Sequence, residues 1–273
     1  MNDVIEFAYA PAVVFVPPNG QRTGRKGQWF FFAVSLAMLA IVLTGFSSTF
    51  YLKGIVVSRA PALPLEGYLI LHGCVMTAWY LLFSVQTLFV AIGHKAHHPR
   101  LGVVGVVLAA AVVLTGGYVS LAFPAHLAEL GVPNAEVFEQ DLGTALANMV
   151  MLGWFSGFVT AAVLLRRRRA WHGRLMFWSF FITISPAFAN GAGNGARLLG
   201  PLMETYLPGW PAVPILFAAA WIGLLIFDWR TQKHVLPATL VCPALLIAAV
   251  FTILGAVNAF RTPELLEFFL RVV

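Results

Sequence analysis

The sequence predicts an all-α, polytopic membrane protein with about seven transmembrane helices, and two observations lead to this fold class. Of the 273 residues, 60% are hydrophobic and only 10% are charged, whereas soluble domains carry about 25% charged residues. The apolar residues also fall in long runs, and a run of about 20 residues crosses a bilayer as a helix. Such uniform runs are unlike the alternating strands of a membrane β-barrel.

Charged residues mark where several of the predicted spans begin or end. The first follows Arg22, Arg25 and Lys26, and the fourth follows a long acidic loop at 123–143. The sixth ends at Asp228, the only acidic residue near the predicted hydrocarbon. The seven spans cover approximately residues 29–50, 68–92, 101–122, 144–165, 174–197, 212–228 and 238–260.

The distribution of Lys and Arg predicts the orientation of these spans. The N-terminal tail and the loops after the second, fourth and sixth spans hold twelve Lys and Arg residues, whereas the opposite side holds five. Positive loops stay in the cytoplasm, so we expect a cytoplasmic tail (1–28), a transmembrane domain (29–260) and an outward-facing tail (261–273).

One run of arginines stands out within this positive charge. It is interpreted as a topology signal that also contacts anionic lipid headgroups, rather than as a nucleic-acid site. The residues assigned this role are Arg166, Arg167, Arg168, Arg169 and Arg174.

Three polar residues recur at intervals of seven along the second span: His72, Trp79 and Gln86. At about 100° per residue, steps of seven return to nearly the same helix face, so the three form one stripe about 21 Å long. The stripe is explained either by hydrogen bonds along a helix-packing seam or by the wall of a ligand or quinone pocket. In the second case His72 is a ligand, a proton acceptor or an axial group of a haem.

A second polar face is predicted in the outer half of the fifth span. If the helix continues past Pro186, then Asn190, Asn194 and Arg197 lie on one side of it. Polar groups inside a membrane face the bundle interior or a water-filled cavity. We therefore expect either interhelical contacts or a pocket for a small polar or anionic ligand.

The third constellation lies at the predicted cytoplasmic edge. His98 opens the third span and His172 opens the fifth, in the similar segments HHPRLG and WHGRLM. Two neutral imidazoles at equal depth on different helices can ligate a six-coordinate haem. Alternatively, both are interfacial histidines beside arginines whose side chains extend to lipid headgroups.

Several other kinds of site are excluded or disfavoured. His94, His97 and His98 are close in sequence but have no carboxylate or thiolate nearby, so we predict no metal-ion site there. No lysine occurs in the seventh span, which excludes a retinal Schiff base. No P-loop, HExxH, GxSxG or Cys-x-x-Cys motif is present, and no catalytic residue is identified.

As an ordered set, four motifs resemble those of a group of uncharacterised bacterial polytopic membrane proteins. They are the His72, Trp79 and Gln86 helix, HPRLG at 98–102, HGRLM at 172–176 and FDWRTQKHVLP at 227–237. The resemblance covers roughly residues 68–240, implies a location in the bacterial inner membrane and implies no established activity. Where the group has a histidine in the last motif, this chain has Leu236, with His234 nearby.

The chain is also similar, more weakly, to six-helix, two-haem cytochromes that carry electrons from ascorbate across membranes. In those proteins the ligands are histidines on four consecutive helices, paired third with fifth and second with fourth. This chain has His98, His172 and His72 on the corresponding third, fifth and second spans, but no histidine on its fourth. The resemblance therefore implies at most one site with two histidine ligands.

Three functions remain open at this point. The first is a redox protein that binds a b-type haem between His98 and His172, or a quinone near His72. The second is a transporter or receptor for a small molecule bound beside Asn194 and Arg197. The third is an assembly or structural subunit without catalytic activity, whose polar residues only hold helices together.

Overall fold

The computed structural model describes residues 25–55, 65–129, 135–189, 212–259 and 264. The regular elements within these ranges are helical. They are α1 (Arg25–Gly45), a π-helical turn (Ser47–Tyr51), α2 (Gly67–Ala91), α3 (His97–Glu129), α4 (Ala135–Leu164), α5 (Arg169–Ile182), α6 (Ser185–Ala189), α7 (Ala212–Gln232) and α8 (Pro237–Ala259).

Six of the described helices contain a segment long and apolar enough to cross a membrane. These segments correspond to six of the predicted spans, so the chain is a multi-pass membrane helix bundle. Some helices extend beyond the apolar runs that predicted them. The six segments are Gly27–Gly45, Gly67–Ala91, His97–Ala122, Gly143–Leu164, Pro214–Gln232 and Pro237–Ala259.

The region of the predicted fifth span, 174–197, contains a break. Helix α5 ends at Ile182, Thr183 and Ile184 form a turn, and α6 begins at Ser185. Pro186 explains the break, because it has no N–H to donate to the carbonyl of Ile182. The residues of the predicted span beyond 189 lie outside the described part of the chain, and the count of seven spans stays a prediction.

Packing contacts order the helices around α5. Helices α1, α2, α3, α4 and α5 pack in sequence, and α8 then packs against both α4 and α5. On α5, residues 177–182 are all buried. The ring of Phe180 lies between two rings of α2, with centroids 4.5 Å from Trp79 and 3.9 Å from Phe83. A broad aromatic interface therefore holds α5 inside the bundle.

The contacts also show which helix ends lie together. Helices α3, α5 and α8 begin where α4 and α7 end, and this end of the bundle carries exposed arginines on α3, on α5, on α7 and in the connection between α4 and α5. We call it the basic end, and the opposite end the far end. At the far end α1 meets α6 so closely that a Cβ atom on Gly45 would lie 2.7 Å from the carbonyl oxygen of Ala187.

Candidate functional sites at the two ends of the bundle

The two histidines predicted to share a depth meet at the basic end. His98 lies in the first turn of α3, and His172 lies in the first turn of α5. Their ring centroids are 5.9 Å apart and the ring planes are nearly perpendicular, at 85°. Both side chains are half-buried. The bundle thus brings together two imidazoles that are 74 residues apart in the sequence.

A backbone hydrogen bond fixes the orientation of His172. Its Nδ1 lies 2.9 Å from the carbonyl oxygen of Ala162, in the last turn of α4. A carbonyl oxygen only accepts hydrogen bonds, so Nδ1 carries the proton and donates it. In the neutral ring, Nε2 is then left with a free lone pair.

His98 is less constrained. Its Nδ1 is buried and has no hydrogen-bond partner among the described residues. A buried polar atom without a partner carries a desolvation cost that a bound group can relieve. The imidazole of His98 can therefore rotate without breaking a hydrogen bond to the described part of the chain.

A buried ion pair lies at the same end of the bundle. The guanidinium of Arg174 on α5 donates from Nη2 to Oδ1 of Asp228 on α7. Asp228 is completely buried and Arg174 is only 6% exposed. Thr239 on α8 joins the pair, since its hydroxyl donates to Asp228 and accepts from Nε of Arg174 at 3.1 Å. Three helices are thus cross-linked by one polar cluster.

Further contacts hold the carboxylate and the guanidinium of this cluster. The backbone N–H of Leu236 donates to Oδ2 of Asp228 at 3.0 Å, which ties the α7–α8 connection to the carboxylate. The guanidinium carbon of Arg174 lies 5.9 Å from the ring centroid of Phe31 and 5.8 Å from that of Phe227. Such distances allow cation–π attraction. The arginine is therefore held by a carboxylate, a hydroxyl and two aromatic rings.

This cluster changes the interpretation of one sequence-predicted residue. Arg174 was grouped with the arginines that contact lipid headgroups, but it is directed into the bundle because its counter-charge, Asp228, lies there. The four arginines at 166–169 are exposed, as is Arg100. They leave a cationic surface around the two histidines.

The predicted stripe on α2 contacts different helices along its length. His72 lies 3.1 Å from the hydroxyl of Thr115 on α3, and Gln86 faces Gly105 on α3. Trp79 is 1% exposed and packs against aromatic rings of α4 and α5. All three side chains therefore contact other helices, but among the described residues only His72 makes an interhelical hydrogen bond, and the buried indole N–H of Trp79 has no partner. The choice between a packing seam and a pocket wall stays open.

The hydrogen bonds of Thr115 determine the proton position on His72. The Thr115 hydroxyl donates to the carbonyl oxygen of Ala111 at 2.8 Å, so its single proton is used. His72 must then donate from Nδ1 for both contacts to be satisfied. Its Nε2 is left as a hydrogen-bond acceptor close to Gly116, where a Cβ would lie 3.3 Å from the adjoining Cε1.

Two other groups of sequence-predicted residues are not part of these sites. Asn190, Asn194 and Arg197 lie outside the described residues, so the outer polar face stays a prediction. Within the described ranges, no group of three or more His, Cys, Asp or Glu side chains could hold a metal ion. His94 and His97 are exposed, with ring centroids 6.2 Å apart.

Two features of these sites were not anticipated from the sequence. The sequence places Arg174 at the start of the fifth predicted span and Asp228 at the end of the sixth, but it does not pair them, since 54 residues separate them. Tyr80 was not singled out, yet its buried hydroxyl donates to the carbonyl oxygen of Phe180 at 2.9 Å beside the break between α5 and α6. The indication of this role in the sequence is the position of a tyrosine in the middle of an apolar run.

Comparison of the chain with models of protein families, with curated proteins and with solved structures finds no match.

Proposed function

We propose that the chain is a membrane redox protein that binds one b-type haem between His98 and His172. The separation of the two imidazoles carries this proposal. A metal–imidazole bond is about 2 Å long, so two imidazoles on one metal ion have ring centres about 6 Å apart. The centroid distance of 5.9 Å between His98 and His172 matches this requirement.

The hydrogen bond of His172 supports the same proposal. Histidines that bind metals usually donate their second ring N–H to a carboxylate or a backbone carbonyl, which fixes the tautomer. His172 makes this bond to Ala162 and has Nε2 left for a metal. His98 would supply the second ligand, since its imidazole can rotate without breaking a hydrogen bond to the described residues.

The electrostatics of the basic end also suit a haem. Haem carries two propionate groups, and arginine is well matched to carboxylates. Exposed arginines lie close to both histidines in the sequence, at Arg100 and at 166–169. When bound between two histidines, the iron supplies one-electron transfer. The protein holds the two ligands and provides positive charge for the propionates.

The finer topology also belongs to this proposal. We propose seven passes, with the basic end in the bacterial cytoplasm and the C-terminus outside. The helix directions support it, because α5 begins at the basic end and Ala187 reaches α1 at the far end. Helix α7 then runs back and ends at the basic end. This direction supports counting the segment from α5 to α6 as a pass of its own. The exposed arginines at the basic end fit the positive-inside rule.

The motif resemblance is compatible with this arrangement. His98 of HPRLG contacts His172 of HGRLM, and Arg174 of HGRLM pairs with Asp228 of the last motif. At Leu236, where the resembling group has histidine, this chain uses the backbone N–H. We propose that three of the four motifs form one centre at the basic end. We also propose that proteins of this group have the same centre.

An optical spectrum of the detergent-purified protein, expressed with excess haem precursor, tests the haem proposal. We expect a Soret band that shifts on reduction and that is lost in His98→Ala and in His172→Ala. His94→Ala and His234→Ala are matched controls, since both histidines are exposed at the same end, and both should keep the band. Absence of the band in the unmodified protein, or its survival in both single variants, would overturn the proposal.

The two other functions stay predictions. The residues of the transporter hypothesis, including Asn194 and Arg197, lie outside the described residues. An assembly or structural role predicts no bound cofactor and no activity lost independently of stability. The haem spectrum therefore also separates the redox proposal from this last alternative.

A further inference from the structure

We propose that His98 is the exchangeable ligand of the centre at the basic end, and that a neutral diatomic gas takes its place while His172 stays bound to the metal. This inference rests on the proposed haem site and adds a second class of ligand to it. A difference between the two histidines carries it: the ring of His172 is held by a hydrogen bond to the protein, whereas the buried Nδ1 of His98 has no partner among the described residues.

His172 is fixed at both its backbone and its side chain. Its backbone N–H donates to the carbonyl oxygen of Arg168 at 3.0 Å, and its Nδ1 donates to that of Ala162 at 2.9 Å. The connection that holds Arg168 is itself closed by a hydrogen bond of 2.8 Å from the N–H of Arg168 to the carbonyl oxygen of Leu165. An imidazole that donates its second N–H in this way is a more basic and better oriented ligand. His172 is therefore the ligand expected to stay.

His98 is held less firmly. It lies in the first turn of α3, and the N–H groups of a first turn have no acceptor within their own helix. It also directly precedes Pro99, and a residue before proline is disfavoured in the helical conformation. Movement of the imidazole away from the metal breaks no hydrogen bond between Nδ1 and the described residues. His98 is therefore the ligand expected to leave.

There is room beside His98 into which its ring can move. A Cβ atom placed on Gly102, one helical turn further along α3, would meet no described atom within 4 Å. His98 itself is half-buried, and its neighbours His97 and Arg100 are exposed. The imidazole can therefore turn either toward Gly102 or toward the surface of the basic end.

The surroundings of the vacated position favour a small neutral ligand. The two rings are half-buried and their centroids are 5.9 Å apart, so the space released is that of one imidazole. Steric access and hydrogen-bond donors beside a haem decide whether it binds a gas. A neutral imidazole always carries one ring N–H, so the released His98 can donate a hydrogen bond to the gas. The exchange breaks one metal–nitrogen bond and forms one bond to the gas, with no net transfer of protons or electrons.

Carbon monoxide added to the dithionite-reduced, haem-loaded full-length protein in detergent tests the inference. We expect the Soret band to shift to that of a carbon monoxide complex, to saturate with the gas and to return when the gas is removed. A reduced spectrum that stays unchanged under saturating carbon monoxide would overturn this inference and leave the haem proposal standing. Absence of any haem band from the unmodified protein would overturn both.

Two variants show which histidine is replaced. His98→Ala loses one haem ligand, and haem supplied together with carbon monoxide should restore a Soret band, because the gas provides the missing ligand. The restored band should match that of the unmodified complex, since both keep His172. His172→Ala lacks the hydrogen-bonded ligand, and such bonds change metal affinity by about 10–100-fold. We therefore expect its haem affinity under carbon monoxide to be weaker than that of His98→Ala by this factor.

The other outcomes of this comparison contradict the inference. Equal recovery in both variants would show that the two ligands are equivalent, recovery only in His172→Ala would show that His172 is replaced, and recovery in neither would show that the gas does not substitute for His98. If an alanine variant does not fold, the same comparison is made with His98→Gln and His172→Gln.

Matched controls place the gas at the histidine pair. His94→Ala and His234→Ala each remove an exposed histidine at the basic end, and both should form the carbon monoxide complex as the unmodified protein does. Loss of the complex in either control, with the haem band retained, would contradict the assignment of the exchangeable position to His98.

Discussion

Removing the charge of Asp228 is the most direct perturbation of the cluster at the basic end. Asp228→Asn would leave the guanidinium of Arg174 buried at 6% exposure without a counter-charge. Breaking a buried ion pair in this way costs about 3–5 kcal/mol of stability. The rings of Phe31 and Phe227 still offer the cation about 0.5–2 kcal/mol of attraction. We therefore expect a loss in the lower half of the range, about 3 kcal/mol.

Titration of the purified protein from mild detergent into dodecyl sulfate, followed by circular dichroism, measures this loss as a free energy of unfolding. The informative control is the double variant Arg174→Met with Asp228→Asn, which removes both charges. Because no uncompensated charge remains, the double variant should be more stable than Asp228→Asn alone by about 1–2 kcal/mol. The single variant Arg174→Met should also be destabilised, since it leaves the carboxylate buried.

Two results would refute this reasoning. The first is a loss below about 1 kcal/mol in Asp228→Asn, which is within the range of ordinary surface-exposed ion pairs. The second is a double variant whose loss equals the sum of the two single losses. Additivity of that kind is expected for sites that do not interact, and it would mean that the two charged groups are not coupled.

Three smaller effects are expected in the same titration. Gly45→Ala should cost about 1–3 kcal/mol through overpacking, because the new Cβ would lie 2.7 Å from a backbone oxygen of α6. Tyr80→Phe should cost about 1 kcal/mol, since it removes the buried hydroxyl that donates to the carbonyl of Phe180. Trp154→Phe should cost about 0.6 kcal/mol, because it removes the 2.8 Å hydrogen bond from the indole N–H to Thr252 that joins α4 to α8.

Each of these three predictions has its own comparison. Gly117→Ala is the control for Gly45→Ala, because nothing lies within 4 Å of its added Cβ, and equal losses in the two would contradict the close approach of α1 and α6. Tyr80→Phe is compared with Tyr118→Phe, on an exposed tyrosine, which should be nearly neutral. For Trp154→Phe, an identical loss in a background that already carries Thr252→Val would show that the bond does not contribute.

The membrane class and most of the helices follow from the sequence because they depend on local composition. A run of apolar residues must be helical in a bilayer wherever it lies in the fold, and six predicted spans reappear as helices. Helices α3 and α4 extend to Glu129 and from Ala135, beyond the predicted bounds at 122 and 144. Apolarity marks the hydrocarbon, whereas a helix can continue past it.

The sequence predicts a contact between helices only where two residues are expected at the same depth in the membrane. His98 and His172 were expected at one level because each opens a span at the same edge, and they meet. The pairing of Arg174 with Asp228 also depends on which helices are neighbours and how each is rotated. The apolar pattern of a bilayer helix carries little of that information, since lipid and bundle interior are both apolar.

The stripe on α2 shows the same limit. His72, Trp79 and Gln86 do share one side of their helix, but that side borders several helices. The two ends meet α3 while Trp79 reaches α4 and α5. Helical periodicity predicts a common face, and the crossing of the neighbouring helices decides what that face contacts.

The buried arginine of α5 has a consequence for biosynthesis. Membrane helices enter the bilayer in the order of translation, and Arg174 emerges well before Asp228 and Thr239, its partners on α7 and α8. During that interval α5 carries a charge whose final counter-ion does not yet exist. Until α7 is inserted, the insertion machinery or the lipid headgroups must accommodate the charge of Arg174. Assembly of this protein is therefore completed only after α7 and α8 have been synthesised, rather than helix by helix.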